Sequence, residues 1–417
     1  GHKQRRKGDS GFDLQVSLLD YHSNRLNNFS AEVLHAPDRI NRLSTLDLSS
    51  QGVATKAVYK LPLTAIDLQV GADYSFTSNV SKSGLDGSTN VTPFRYDETI
   101  GSLFLTGEYG LSQSLILQGG LRTEYFGRKA SSDKRTTLID DKRLQLFPNV
   151  NLVWIPGNAG TFILHYSKRI ERPSLHYINP FRHYSNAYSY WQGNPEVSHY
   201  MVDNMQLSYN ASNLLVSFYG RYAANKYDQV TKVDPSDKQQ VVTPLNYYDF
   251  SNIGGYLSHS FSLREFWNST NELTGWYMKA SSRVPDIESA SGWGGAISSN
   301  NFLTFSQSSK FRFHLNGIYM TPSLAGGYRA SAAHQIDLGV SARFLQDALE
   351  VTLTATDITK GSGRSFTQIV SGIKQINSDI NDSRRIKLGL TYTLGVSKKK
   401  KSPRTSIAEE NKQRLEL

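Results

Sequence analysis

Along most of the chain apolar and polar side chains alternate with period two, and helical periodicity is almost absent. Over 66–76, Ile66, Leu68, Val70, Ala72, Tyr74 and Phe76 share one face, and Asp67, Gln69, Gly71, Asp73 and Ser75 the other. Over 115–125, Leu115, Leu117, Leu121 and Tyr125 oppose Gln118, Arg122 and Glu124. The same split recurs over 144–154, 311–319, 336–344 and 386–394, the last with Ile386, Leu388, Leu390, Tyr392 and Leu394 on one side. The pattern predicts sixteen strands, near 11–21, 43–60, 65–79, 95–109, 114–127, 142–155, 161–171, 200–210, 213–228, 243–261, 267–281, 292–305, 310–320, 332–344, 349–359 and 382–395. Most run to about 9–16 residues, whereas strands of soluble proteins average about five or six. A break in the alternation around 49–53 reads as a bulge in the second strand.

The connections carry a second signal. Tight turns at 61–64, 110–113, 156–160, 211–212, 262–266, 306–309 and 345–348 alternate with long loops near 22–42, 80–94, 128–141, 172–199, 229–242, 282–291, 321–331 and 360–381. Short turns on one rim and long loops on the other are the arrangement of outer-membrane barrels, with the turns periplasmic and the loops extracellular. In hydrocarbon every backbone amide must be paired within the protein, so a sheet spans only by closing on itself. The outward face then meets lipid, and the inward face can carry Arg, Asp, Gln and His. The fold class is therefore an all-β, transmembrane, antiparallel up-and-down barrel over 11–395, flanked by a basic N-terminal segment (1–10) and a basic, disordered tail (396–417). Both termini fall on the periplasmic side.

Composition agrees. A mean hydropathy of -0.44 suits a wall that is apolar on one side only, and no run is long enough for a transmembrane helix. The absence of cysteine removes disulfide scaffolds, thiolate metal sites and cysteine nucleophiles. Of the net charge of +10, residues 1–8 and 396–417 carry +4 each, leaving +2 for everything between. Charge held in polar tails rather than on a folded face argues against nucleic-acid binding. The tail run Lys398 to Lys401 could also hold to anionic lipid or peptidoglycan. Nucleophile-elbow, phosphate-loop and metalloprotease motifs are all missing, so no catalytic residue, metal or cofactor is expected. His165 beside Ser167 reads as lumen lining, and the acidic loops around 234–237 and 379–382 as solvated surface.

The most specific stretch reads Ser167-Lys168-Arg169-Ile170-Glu171-Arg172-Pro173-Ser174, then Ile178-Asn179-Pro180-Phe181, then Gly193-Asn194-Pro195-Glu196. With Phe94-Arg95-Tyr96-Asp97-Glu98, Gly120-Leu121-Arg122-Thr123-Glu124-Tyr125, Phe147-Pro148-Asn149 and a terminal Tyr392-Thr393-Leu394-Gly395, it resembles the outer-membrane β-barrel family that forms the C-terminal barrel of TonB-dependent receptors, abundant in Bacteroidetes. The resemblance implies uptake of a scarce nutrient bound by extracellular loops and passed through the lumen. It also implies outer-membrane lipid, the barrel-assembly machinery, a plug domain and a TonB-type energy-transducing complex as partners. Such receptors have about 22 strands, so this chain reads as the C-terminal part of a larger barrel. A self-closed sixteen-stranded passive porin and a surface adhesin or scaffold are the alternatives. On the motif itself, Arg169, Arg172, Pro173, Asn179, Pro180, Phe181, Gly193, Asn194 and Pro195 are expected to shape the long loop and the wall. The aromatics Tyr184, Tyr188, Tyr190 and Trp191 have two readings: a ligand-stacking surface, or rings that pack on one another and on the rim.

Overall fold

The computed structural model describes residues 10–32, 39–85, 93–132, 136–186, 188–233, 239–264, 266–304, 311–370, 372–379 and 382–394. Almost all of segment 1–10 and the whole of 396–417 lie outside them. In chain order the elements are β1 (Gly11–Glu32), β2 (Arg39–Pro62), β3 (Ile66–Leu85), β4 (Phe94–Gly110), β5 (Leu115–Ser131), β6 (Thr137–Trp154) and β7 (Thr161–Glu171). Then come helix α1 (Leu175–Ile178), the short strands β8 (Arg182–Asn186) and β9 (Ser189–Gln192), β10 (Tyr200–Ala211), β11 (Leu214–Val233), β12 (Gln240–Leu263), β13 (Trp267–Ser282), β14 (Ala290–Leu303) and β15 (Phe311–Met320). The chain ends with β16 (Ser323–Ala325), β17 (Tyr328–Ala330), β18 (Ala333–Phe344), β19 (Leu349–Thr356), β20 (Arg364–Val370), β21 (Ile373–Asp379) and β22 (Arg385–Tyr392).

All sixteen expected strands form, as β1–β7, β10–β15, β18, β19 and β22, each antiparallel to the next in one continuous up-and-down wall. Among the described residues no ladder joins β1 to β22, so the wall has two free edges. One is 22 residues long and the other 8.

The outward face is apolar and bare: Leu18 is 79 % exposed, Leu144 71 % and Ile386 80 %. Their neighbours in sequence point inward, where Glu124 is 3 % exposed. Polar groups interrupt the outer stripe in places, among them two clusters on β7/β10 and β13/β14. Lys168 reaches Asp203 at 3.5 Å, and Tyr166 donates to the same carboxylate at 2.7 Å, near the loop end of β7. Ser269, Asn271, Ser299 and Asn301 bond among themselves at 2.7–3.0 Å near the short-turn end of β13 and β14. Both lie toward strand ends, where a bilayer gives way to headgroups and water, and both satisfy their own hydrogen bonds.

Two expectations need correction. The bulge foreseen at 49–53 is absent: β2 pairs residue for residue with β1 and β3 through that stretch. The alternation breaks there because Gly52 fits a tight approach to Phe76 O and the Thr77 side chain, 2.8 and 2.9 Å from where its Cβ would lie. Register shifts sit instead at Ala223/Lys226, Lys226/Tyr227 and Ala130/Ser131. Second, many strands overrun their expected ends on the loop side; β1 continues to Glu32 and β11 to Val233. There the side chains are polar on both faces, as in Asn24, Arg25, Asn27 and Asn28, but the backbone ladder continues without an apolar stripe to mark it.

The loops near 321–331 and 360–381 fold together into a second sheet, in the order β16-β17-β20-β21. It rests on the extended tips of β11 and β12. Val230, Tyr247, Tyr248, Ala280, Ile287, Leu324 and Val370 form a buried core between them. Tyr328 Oη donates to Gln229 O at 2.9 Å and Gln375 Nε2 to Thr231 O at 3.1 Å.

Candidate functional site

The loop 172–199 is a folded strap laid against the inner wall. At its start the Arg172 guanidinium forms a close ion pair with buried Glu124 of β5 and lies 5.2 Å from the Phe126 ring. The Arg172 carbonyl accepts a hydrogen bond from Tyr227 Oη at 3.0 Å. At its end Arg128 donates to Val197 O, and Gln145 Nε2 lies 2.7 Å from His199 Nε2. Between these anchors, Leu175 and Ile178 of α1 are buried against Phe94, Tyr96 and Ala130, so an apolar plug of side chains replaces water at the wall. On the far side β9 adds to β12 in parallel, Ser189 opposite Gln240. The strap therefore touches β4, β5, β6, β11 and β12 at once.

The motif residues shape this course. Pro173 is buried just before Ser174, which stands in extended conformation at the N-cap position of α1. Asn179 closes the helix through its N–H to Leu175 O at 2.9 Å, and its side chain accepts from Phe181 N at 3.2 Å. Pro180 O accepts from Gln192 Nε2 at 2.9 Å, and Phe181 packs edge-on to Phe94 at 6.5 Å. Gly193 is obligatory, because a Cβ there would strike the carbonyl oxygens of Asn179 and His176. Asn194 binds Pro244 O at 3.2 Å and Glu196 N at 3.0 Å, with Pro195 seated in the turn that Val197 N closes onto Asn194 O. Arg169 stands apart, exposed on the inner face of β7.

Of the four aromatic candidates, two are packed as supports. Trp191 stacks on His176 at 4.7 Å with an interplanar angle of 9°, and Tyr190 is 5 % exposed beneath the Arg182 guanidinium. Tyr184 leans on Tyr190 at 5.3 Å and is half-buried. Tyr188, at the hairpin tip, is 56 % exposed.

The chain belongs to the outer membrane protein beta-barrel family, whose model matches residues 2–392. No curated protein matches it significantly. In fold it is similar to the copper transporter OprC (TM-score 0.63, 11 % identity, 91 % of this chain and 62 % of that one). It is also similar to the ferric yersiniabactin uptake receptor FyuA from Yersinia pestis (TM-score 0.60, 9 % identity, 92 % and 60 %). A third is the ferripyoverdine receptor of the outer membrane of Pseudomonas aeruginosa (TM-score 0.58, 12 % identity, 92 % and 54 %). The chain spans between half and two thirds of the length of each.

Family membership fixes the setting of this barrel: its bare apolar face meets outer-membrane lipid, and the strap lies on the lumen side. A charged network runs behind the strap. Arg122 pairs closely with Asp73 and reaches Glu124 at 3.1 Å, while Asp141 lies 3.6 Å from Arg128 and 3.0 Å from Arg143. Burial beside Arg143, Arg172 and Arg128 lowers His199 to about 4, so it is neutral at pH 7. His165 bridges Asn151 at 2.6 Å and Ser167 at 3.1 Å, but Ser167 is buried in the wall and offers no nucleophile to the lumen. Among the described residues no group of three metal-ligating side chains assembles; Asp234 and Asp237 lie outside them.

Sequence reasoning missed the loop-side sheet and its tyrosine base, where Lys226 Nζ donates to Tyr248 Oη at 2.8 Å and Tyr248 Oη to Asp228 at 3.0 Å. The available signal was Gly326-Gly327 and Gly372, turn residues flanked by β-forming side chains; Gly326 and Gly372 both have positive φ.

Proposed function

We propose that this barrel is the wall-and-loop portion of an energised outer-membrane receptor. Its loops capture a small nutrient that then passes through the lumen. The observation that carries the reading is the strap: a long loop fixed at both ends inside the wall, with Tyr184 and Tyr188 presented at its outer hairpin. A ring with two torsions offers stacking area at low entropic cost. Tyr190 and Trp191 are then supports rather than contacts. The fold similarity to a copper transporter and to a ferric yersiniabactin uptake receptor favours a scarce metal or its chelate as cargo. The short turns and both termini lie in the periplasm, where a plug and a TonB-type complex supply the gating. The chemistry is binding and release, without a covalent step.

In this reading the free edges of β1 and β22 pair with strands supplied from outside residues 1–417, since an open sheet cannot span hydrocarbon. The test exploits the absence of cysteine. One Cys replaces Leu14 and another replaces Leu390, and the pair is staggered over several registers in the full chain in lipid. No intramolecular crosslink is expected in any register. Efficient crosslinking in one register would make the chain a self-closed pore and overturn the receptor reading.

A further inference from the structure

Between the strap and the first two strands lies a small cavity of about 60 Å³. Arg25 of β1, His176 of α1, His183 of β8 and Asn179 supply its polar lining, and Leu48 and Leu175 an apolar floor. Among the described residues no acidic side chain lines it. The hydrogen bond from Asn27 Nδ2 to Tyr184 O, 3.2 Å long, ties the strap hairpin to β1 beside this cavity. His176 is held by its stack on Trp191, and the two imidazoles stand 5.9 Å apart. Three nitrogen-bearing side chains from three separate elements thus converge on one space.

We propose that this cavity receives a carboxylate group of the captured ligand, with Arg25 as its charged donor and the imidazoles of His176 and His183 as supporting donors. The inference deepens the loop-capture reading and rests on it for the direction from which the ligand arrives. A guanidinium presents parallel N–H groups that match a carboxylate. The volume is several times the roughly 10–15 Å³ that one water needs, enough for a planar head group and too small for a whole ligand. The leucine floor suits the carbon that bears the carboxylate. A metal cation is disfavoured, because Arg25 occupies the same space with its own positive charge.

The electrostatics agree. Burial is the main cause that lowers His183, followed by the positive fields of His176 and Arg25, the charged and titratable groups that face it. An anion in the cavity reverses the second and third of these effects and stabilises the protonated ring.

The experiment follows ring-labelled histidine signals of the full chain in lipid from about pH 8 to about pH 5, the range in which imidazoles titrate. Three probes are compared at matched ionic strength: propionate, its neutral isostere propionamide, and inorganic phosphate. Assignment comes from His183→Gln and His176→Gln. Propionate is expected to raise the His183 midpoint by about half a pH unit or more, and propionamide and phosphate to leave it in place. Arg25→Gln should weaken the propionate response about tenfold, and Arg25→Lys should restore part of it. A midpoint indifferent to propionate, an equal response to phosphate, or an undiminished response in Arg25→Gln would each overturn the proposal. The cysteine crosslinks decide the receptor reading separately, so the two can fail independently.

Discussion

The inner wall of β3–β6 and that of β12–β14 share one alternation and one outward apolar face, yet their inward chemistry differs. The first is ionic: Arg122 of β5 reaches over β4 to Asp73 and along its own strand to Glu124, and Arg128 of β5 pairs across to Asp141 of β6, which Arg143 also meets. The second is almost neutral. Ser260 meets Thr270 at 3.0 Å, and the acid Glu272 accepts from Tyr256 at 2.6 Å and from Ser298 at 3.0 Å. The difference follows the strap. Arg172, Val197 and His199 dock on β5 and β6, where Arg172 gives Glu124 a partner beside Arg122 and Val197 O gives Arg128 one beside Asp141. The lesson is that period-two patterning sets which face meets lipid, while lumen charge marks where another segment must lie against the wall.

Breaking the ionic half should have the largest effect. Glu124→Leu leaves Arg122 and Arg172 without their shared carboxylate in a buried setting, a loss of about 3–5 kcal/mol. A drop in the urea midpoint, together with new protease cleavage within 172–199, is the expected result. Glu272→Gln in the neutral half keeps a hydrogen-bonding oxygen and should cost only about 1 kcal/mol, with the strap untouched. Equal losses from the two variants would erase the distinction between the walls.

What the halves share is sharpened next. Leu121 is outward and 48 % exposed, so Leu121→Arg should cost about 2–4 kcal/mol when placed in lipid. Gln118→Arg, on the inward face where Gln118 Nε2 already bonds Glu108 at 3.1 Å, should fold normally by heat-modifiable gel shift. Equal outcomes for both would end the assignment of faces.

This shared layer is what the sequence made legible. All sixteen wall strands were visible because the lipid imposes an apolar stripe on every one of them. Their loop-side extensions were not, because above the membrane Asn24, Arg25 and Asn27 need no stripe and only the backbone ladder continues. The long loop was legible as a motif: Arg172, Pro173, Asn179 and Gly193 each meet a local steric or polar demand. Its partners were hidden, since nothing near Arg172 in the chain points to Glu124, and the register shifts at Ala223/Lys226 and Lys226/Tyr227 carry Tyr247 and Tyr248 out of the alternating pattern. Tyr190 and Trp191 could not be told from ligand contacts until their stacking partners were placed.

The ionic half should also respond to pH where the neutral half does not. His199 titrates at about 4 in the docked strap, against an ordinary value of 6.5 when released. Between those values the docked state binds fewer protons than the released one. Docking is therefore unaffected above pH 6.5 and weakens steadily as pH falls toward 4. At pH 5 the released fraction should rise on the order of tenfold. Strap cleavage rates at pH 7 and pH 5 measure this, and His199→Gln, which keeps a partner for Gln145 but does not titrate, should flatten the response. A pH response that survives in His199→Gln would place its origin elsewhere.

The smallest effect completes the contrast. Ser260→Ala removes a single hydroxyl facing Thr270, and its loss should stay near 0.5–1.5 kcal/mol, the ordinary range for one neutral hydrogen bond. The informative part is what stays still. Strap cleavage and its pH response should match those of the unmodified chain, because among the described residues no hydrogen bond or ion pair links Ser260 to loop 172–199 and distant sites add independently. If strap cleavage instead accelerates as it does in Glu124→Leu, the wall transmits strain around its circumference, and the strap senses the whole sheet rather than its own contacts alone.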